Sequence, residues 1–131
     1  MQLYLVRHAD ATPGDPDELR TLSDEGREQA RTLGEQLKAG GVQPDVVLTS
    51  PLLRARETAE ALARATGSRA ETDERLAPGA TADGVREAVA GRGERVVVVG
   101  HQPDCGQITA AFRGGEEPKF PAAGMVVIEL P

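Results

Sequence analysis

The chain has 131 residues, a length that fits one domain covering 1–131, with a core that needs no disulfides. Its net charge of −6 and 2% aromatic content disfavour a nucleic-acid partner, since phosphate backbones need cations and bases need stacking platforms. It has one cysteine, no signal peptide and no apolar run of about 20 residues. We therefore expect a monomeric, cytoplasmic protein with no membrane segment.

The first half of the chain predicts two strands and a helix. Apolar residues at 3–6 predict a short buried strand, and the Asp-, Pro- and Gly-rich residues 10–20 predict a loop. Ser23 is a suitable N-cap for a helix whose apolar residues recur at helical spacing until Gly40. Residues 46–49 predict the second strand.

Two helices and a short strand follow. Ser50 is predicted to cap the second helix, which Gly67 closes. Residues 69–72 predict a further strand, and 82–90 predict a third helix whose inward-facing residues begin with Ala82.

The remaining elements define the fold class. Four consecutive valines at 96–99 are typical of a strand buried on both faces, as in a parallel sheet. Pro103 begins a fourth helix that ends near Arg113, and residues 125–130 predict the last strand. Because strands alternate with helices, we predict an α/β fold, specifically a three-layer α/β/α sandwich with a mostly parallel central sheet.

Both histidines of the chain come directly after apolar runs that predict strands. Arg7 and His8 follow the first strand, His101 follows the valine strand, and Arg54 lies in the first turn of the second helix. The carboxyl ends of parallel strands meet at one edge of a sheet, so we expect these side chains to converge there.

This set of residues has a definite chemical character. Guanidinium groups bind phosphate oxygens in pairs, and the N-termini of helices favour anions. A neutral imidazole is a competent nucleophile. The pattern therefore predicts a phosphoryl-transfer site that needs no metal or cofactor. The residues alone leave open which histidine attacks.

Other chemistries find less support. A cysteine phosphatase loop needs Arg six positions after the cysteine, where Ala111 stands, and the chain has no Gly-Lys pair for a P-loop. Val96 occupies the position of the third glycine in the only dinucleotide-like stretch. A zinc site from His8, His101 and an Asp is disfavoured because nearby arginines would repel the cation.

Four further polar residues receive ordinary structural interpretations. Asp10 is interpreted as a loop residue, Asp104 as a helix cap and Cys105 as a small buried residue. Arg20 either forms a surface ion pair or reaches into the site.

Three segments resemble, in order, the signatures of the histidine phosphatase superfamily, which includes phosphoglycerate mutase-like enzymes. They are LYLVRHADA (3–11), LTSPLLRARETAEAL (48–62) and VVVVGHQPD (96–104). The resemblance covers essentially the whole chain, including LRTLSDEGREQA (19–30) and FPAAGMVVIEL (120–130). The small size most resembles the bacterial phosphohistidine phosphatase branch, which acts on phosphorylated histidine-containing transfer domains.

The resemblance implies a phosphoglycerate mutase-like fold and a role for each matching residue. His8 would be the nucleophile, and Arg7 beside it disfavours protonation of its ring. Gln102 would contribute a backbone N–H, and Arg20 would be a contact at the mouth of the site. The side chains implied to bind phosphoryl oxygens are Arg7, Arg54 and His101.

The chain departs from the family pattern in two places. Ala9 stands where the signature usually has Gly. Many relatives carry a proton-donating Glu after the third strand, but the segment 73–80 reads DERLAPGA and no carboxylate aligns. Asp10, Asp24 and Glu74 are the candidates for the proton donor, and the sequence gives each of them little support. A phosphohistidine leaving group needs less help from an acid than an alkoxide does.

We therefore expect a phosphatase that acts on phosphohistidine in a protein. The short segment 72–81 leaves no room for a lid, so the site would admit a protein surface. The alternatives are a phosphomonoesterase for a small phosphoester, such as a sugar phosphate or a nucleotide, and a catalytically silent anion-binding module.

Overall fold

Five strands alternate with four α-helices, and the computed structural model describes all of residues 1–131. The strands are β1 (Gln2–Arg7), β2 (Val46–Thr49), β3 (Ala70–Thr72), β4 (Arg95–Gly100) and β5 (Met125–Glu129). The helices are α1 (Asp24–Ala39), α2 (Leu53–Thr66), α3 (Ala82–Val89) and α4 (Asp104–Arg113). Short 3-10 helices occupy Asp17–Leu19 and Glu74–Leu76. No helix combines the length and the apolar character needed to cross a membrane.

The strands form one sheet in the order β3-β2-β4-β1-β5. The first four strands of this order are parallel to their neighbours, and β5 runs antiparallel to β1. The register pairs Arg7 with Gly100 and Thr49 with Val99, so β1, β4 and β2 end side by side. The predicted mostly parallel sheet is confirmed.

Both faces of the sheet are covered by helices. In β4, Val96 and Val98 pack in the same apolar cluster as Ile108 of α4, whereas Val97 and Val99 pack with residues of α1 and α2. The α3 helix lies on the α4 side, through Val85, Ala88 and Val89. The three-layer α/β/α sandwich is therefore confirmed, and the valine strand is buried on both faces as expected.

Three local predictions were wrong. Leu52, not Ser50, occupies the N-cap position of α2, because residues 51–52 form a bend before the helix begins; the Ser50 hydroxyl accepts from the Leu52 N–H within that bend and contacts His101. Ala82 is only half-buried, since it is the first residue of α3 and precedes the turns that pack on the sheet. Asp104 does not cap α4; Pro103 holds that position, and the Asp104 carboxylate accepts a hydrogen bond from the Gly79 N–H.

The N-terminus of α1 is seated on the loop that follows β1. Ser23 caps the helix by accepting from the Gly26 N–H at 3.0 Å, as predicted. The Ser23 backbone N–H donates to the carbonyl oxygen of Asp10 at 3.0 Å, and its hydroxyl donates to the Asp10 carboxylate at 2.7 Å. A Cβ on Gly26 would overlap the Asp10 carbonyl group. Position 26 therefore accepts only glycine without a backbone shift.

We expect Gly26→Ala to lower the free energy of unfolding by about 1–3 kcal/mol, because the new methyl group overpacks the contact with the loop. Gly84→Ala is the control, since its Cβ would meet the Thr81 hydroxyl at 3.3 Å and Arg75 only at 3.7 Å and beyond, both ordinary or nearly ordinary contacts. That change should stay within about 1 kcal/mol of the wild type. Urea unfolding of the three proteins measures both effects, and equal stabilities would contradict the packing argument.

Candidate active site

The ends of β1, β4 and β2 bring both histidines together. The His8 N–H donates to the Gly100 carbonyl oxygen, and the Ser50 N–H donates to that of Val99. These bonds extend the sheet by one residue on either side of β4. The His8 and His101 rings lie 5.1 Å apart between centroids, at an interplanar angle of 61°. The predicted convergence of the two histidines is therefore present.

Two arginines contribute buried N–H groups to this edge. Arg54 is only 7% exposed, and the electric fields of Arg7 and Arg54 act on both imidazoles. Three buried side-chain polar atoms of the chain lack a hydrogen-bond partner, and two of them are Nε of Arg7 and Nε of Arg54. A buried donor without an acceptor costs about 1–3 kcal/mol.

Each arginine is also fixed by a protein acceptor. Nη1 of Arg7 donates to the carbonyl oxygen of Phe120 at 2.9 Å. Arg54 donates from Nη1 to the carbonyl oxygen of Asp17 at 2.9 Å and from Nη2 to its carboxylate at 3.2 Å. The guanidinium groups are therefore held in place while Nε stays free.

The Asp17 carboxylate joins Arg54 to Arg20. Its second oxygen accepts from Nη1 of Arg20 at 3.0 Å, and Arg20 also donates from Nε to the Thr12 carbonyl oxygen. The hydrogen bond from Arg20, and then that from Arg54, lowers the pKa of Asp17 below its usual value. Arg20 forms the predicted ion pair, and its charge also helps to lower the pKa of His8. Its contact at the mouth of the site stays a prediction. Sequence reasoning missed Asp17, whose only signal is its place three residues before Arg20.

The proton position on His8 follows from its neighbour. Nδ1 lies 2.7 Å from the carbonyl oxygen of Ala9, which can only accept, so Nδ1 carries the proton and Nε2 has a free lone pair. Burial lowers the pKa of His8, and the charges on Arg54, Arg7 and Arg20 lower it further, against the bond to Ala9. The ring is therefore neutral at pH 7.

His101 is more deeply buried. It is 4% exposed, and its Nε2 lies 2.8 Å from Oγ of Ser50. Burial, followed by His8 and Arg54, lowers its pKa to about 4, although Asp17 acts in the opposite direction. Sequence reasoning assigned Ser50 to a helix cap; its place directly after β2 was the available signal.

The departure at Ala9 fits the local packing. The residue is fully buried, and its N–H donates to Oγ1 of Thr58 at 3.0 Å. The Thr58 hydroxyl in turn donates to the carbonyl oxygen of Arg54 at 2.8 Å. Thr58 thus connects the loop after His8 to α2. It was also missed, although it follows Arg54 by one helical turn.

Gln102 presents its backbone beside His101. Its side-chain Oε1 accepts from the Gly106 N–H at 2.9 Å in the first turn of α4. Its own N–H donates to no protein atom and remains available to an anion. Cys105, by contrast, is 1% exposed, and burial raises the pKa of its thiol to about 12, as suits a small buried residue.

The three candidate acids do not contact either histidine. The Asp10 carboxylate accepts from the Ser23 hydroxyl, and Asp24 forms an exposed ion pair with Arg27. Glu74 is exposed in the second 3-10 helix.

Comparisons with known proteins identify the family of the chain. The sequence profile of the histidine phosphatase superfamily (branch 1) matches residues 3–78. An uncharacterised protein of Picosynechococcus sp. is 36% identical over 124 residues, which cover 88% of this chain and 75% of the relative. Phosphohistidine phosphatase SixA of Escherichia coli strain K12 is 32% identical over 125 residues, which cover 90% of this chain and 78% of that protein.

A solved structure of the protein histidine phosphatase SixA complexed with tungstate has the same fold. The match has a TM-score of 0.90 at 28% identity and covers 99% of this chain and 88% of that chain. The chain therefore belongs to the histidine phosphatase superfamily, in its small SixA-like branch. It is accordingly a phosphatase, a hydrolase that acts on phosphoryl groups, as the sequence predicted.

We expect both histidines to titrate below pH 6.5 in the folded protein, His101 near 4. Because the unfolded chain then binds more protons than the folded one, these groups stabilise the fold fully above pH 6.5. Their contribution declines as the pH falls from 6.5 towards the folded pKa of each ring. NMR titration of the ring protons measures both values, and the urea-unfolded chain is the control. A folded-state pKa at or above 6.5 for either ring would contradict this assignment.

Proposed function

We propose that this phosphatase removes the phosphoryl group from phosphohistidine in a protein, through a covalent intermediate on His8. The observation that carries the proposal is the convergence of the two imidazoles, 5.1 Å apart between centroids, with Arg7 and Arg54, whose charges act on both rings. A tetrahedral oxyanion supplies several acceptors at once, and charge-assisted hydrogen bonds to it are among the strongest in proteins.

Each predicted residue then has a role in holding the phosphoryl group. Arg7 and Arg54 donate guanidinium N–H groups to its oxygens, and His101 and the Gln102 N–H add two further donors. Arg20, which the Asp17 carboxylate holds near the mouth of the site, contacts the incoming substrate. Positioning and charge neutralisation of this kind supply most of the catalysis in phosphoryl transfer.

The first chemical step is an in-line attack by Nε2 of His8 on phosphorus. The Nε2–P bond forms while the bond from phosphorus to the leaving nitrogen breaks, and that nitrogen takes a proton from water. The attack requires the neutral ring with its proton on Nδ1, the state that burial and the Ala9 carbonyl favour.

In the second step, water attacks the phosphorus of phosphorylated His8. The Nε2–P bond breaks, the phosphate leaves with the oxygen of the water, and the proton of the water passes to phosphate or solvent. Nε2 regains its lone pair, and Nδ1 keeps its proton throughout. The cycle needs no metal or cofactor.

Two features support phosphohistidine in a protein as the substrate. None of the three candidate acids contacts the histidines, and an imidazole leaving group depends less on an acid than an alkoxide does. The site is also accessible, because His8 is half-buried at the edge of the sheet. A protein surface can therefore approach it. SixA, the relative that is 32% identical, is named a phosphohistidine phosphatase.

We propose a phosphorylated histidine-containing transfer domain as the partner. The cytoplasmic location and the monomeric state stay predictions from the sequence.

A substrate screen with the wild type and His8→Ala side by side tests the function. We expect the wild type to release phosphate from a phosphorylated transfer domain faster than from a panel of sugar phosphates, nucleotides and aryl phosphates. Acid-labile labelled phosphate should be trapped on the wild type but not on His8→Ala, which should be inactive. Fast turnover of small esters without turnover of the phosphoprotein would favour the phosphomonoesterase. The absence of any adduct and any turnover would favour the silent anion-binding module.

We expect Arg54→Ala to lower kcat/KM on the phosphoprotein by about 100- to 1000-fold, or about 3–4 kcal/mol, as for loss of one preorganised donor to a developing oxyanion. Arg56→Ala is the matched control, since its Nε donates to the Pro51 carbonyl oxygen and it takes no part in the site. Steady-state kinetics measures both variants. If the two changes had the same small effect, Arg54 would not bind the phosphoryl group.

A further inference from the structure

In each histidine one ring nitrogen contacts a protein group, and the two histidines differ in the kind of group that this nitrogen contacts. Nδ1 of His8 faces a carbonyl oxygen, which can only accept, whereas Nε2 of His101 faces the Ser50 hydroxyl, which can donate or accept. The tautomer of His8 is therefore settled by its one contact. That of His101 depends on the other hydrogen bonds of the Ser50 hydroxyl.

The surroundings of Ser50 decide the direction of its bond to His101. Ser50 is fully buried, and its Oγ already accepts from the Leu52 N–H at 3.2 Å. The hydroxyl proton has one acceptor within reach, Nε2 of His101 at 2.8 Å. If Nε2 carried the proton instead, the oxygen would receive two N–H groups and the buried O–H would have no acceptor, which is unfavourable.

We propose that Ser50 is a positioning residue that keeps the proton of His101 on Nδ1, so that this ring presents an N–H donor to the phosphoryl group. The role rests on the proposed function, because the donor matters only if the site holds an oxyanion. Nδ1 of His101 has no protein partner, and the ring lies beside His8.

Ser50 thereby separates the tasks of two similar rings. Both are neutral and protonated at Nδ1, but they turn opposite nitrogens towards their protein partners. His8 keeps Nε2 free as a lone pair for attack, while His101 keeps Nδ1–H free as a donor. In the other tautomer, His101 would direct a lone pair at an anion, and the interaction would be repulsive.

The test combines a spectroscopic signature with anion binding. Long-range ¹H–¹⁵N NMR at pH 7 reports which ring nitrogen of each histidine is protonated, and titration with inorganic phosphate gives an affinity that needs no turnover. The variants are Ser50→Ala and, as the matched control, Thr49→Val. Thr49 is the adjacent buried residue, and its hydroxyl donates only to the Ser50 carbonyl oxygen.

We expect wild-type His101 to carry its proton on Nδ1 and Ser50→Ala to shift it wholly or partly to Nε2. The same change should weaken phosphate binding about tenfold, the effect of losing one hydrogen bond to a charged group. His8 should keep its tautomer in both variants, and Thr49→Val should match the wild type.

Two results would overturn the role of Ser50: a wild-type His101 protonated at Nε2, or a Ser50→Ala protein with unchanged tautomer and phosphate affinity. A wild type that binds no phosphate would overturn the proposed function and the donor role with it, while the NMR data would still decide the tautomer. A tautomer that shifts without any change in phosphate affinity would overturn the donor role alone.

Discussion

The site depends on the parallel register of β1, β4 and β2. With β4 between the other two strands, the residues that follow all three strands emerge at one edge of the sheet. His8 and Ser50 then hydrogen-bond to β4 from opposite sides, and His101 continues β4 between them. A strand inserted between β1 and β4 would separate the imidazoles by a further strand spacing of about 4.8 Å, and one inserted between β4 and β2 would separate His101 from Ser50 by the same distance.

Burial and positive charge act together on the imidazoles. Transfer of a ring out of water disfavours its charged form, and the nearby guanidinium groups disfavour it further. An edge that collects cations thus keeps its histidines neutral, as the proposed roles of nucleophile and neutral donor require. The Asp17 carboxylate offsets part of the positive charge and holds both Arg54 and Arg20. Nε of Arg54 and Nε of Arg7 have no protein partner.

Main-chain carbonyl groups position most of the functional side chains. Those of Ala9, Asp17 and Phe120 fix His8, Arg54 and Arg7, respectively. The Asp17 carbonyl belongs to the short 3-10 helix Asp17–Leu19, where it also accepts from the Arg20 N–H. The Ala9 and Phe120 carbonyls belong to irregular segments, where the backbone is not committed to sheet or helix hydrogen bonds. The same segments close on the sheet, since the Ala123 N–H donates to the His8 carbonyl oxygen. The loop after β1 and the loop before β5 therefore contribute to the geometry of the site as directly as the strands do.

The sequence by itself predicted the strands and the helices, and it predicted that Arg7, His8, Arg54 and His101 lie at one edge of the sheet. Local pattern is enough for these, because buried strands and helix starts leave a periodic signal and parallel strands share one edge. It missed Asp17 and Ser50, whose partners lie 37 and 51 positions away along the chain. Only the tertiary structure decided those contacts and the resulting tautomers, because a hydrogen bond between distant segments has no period in the sequence.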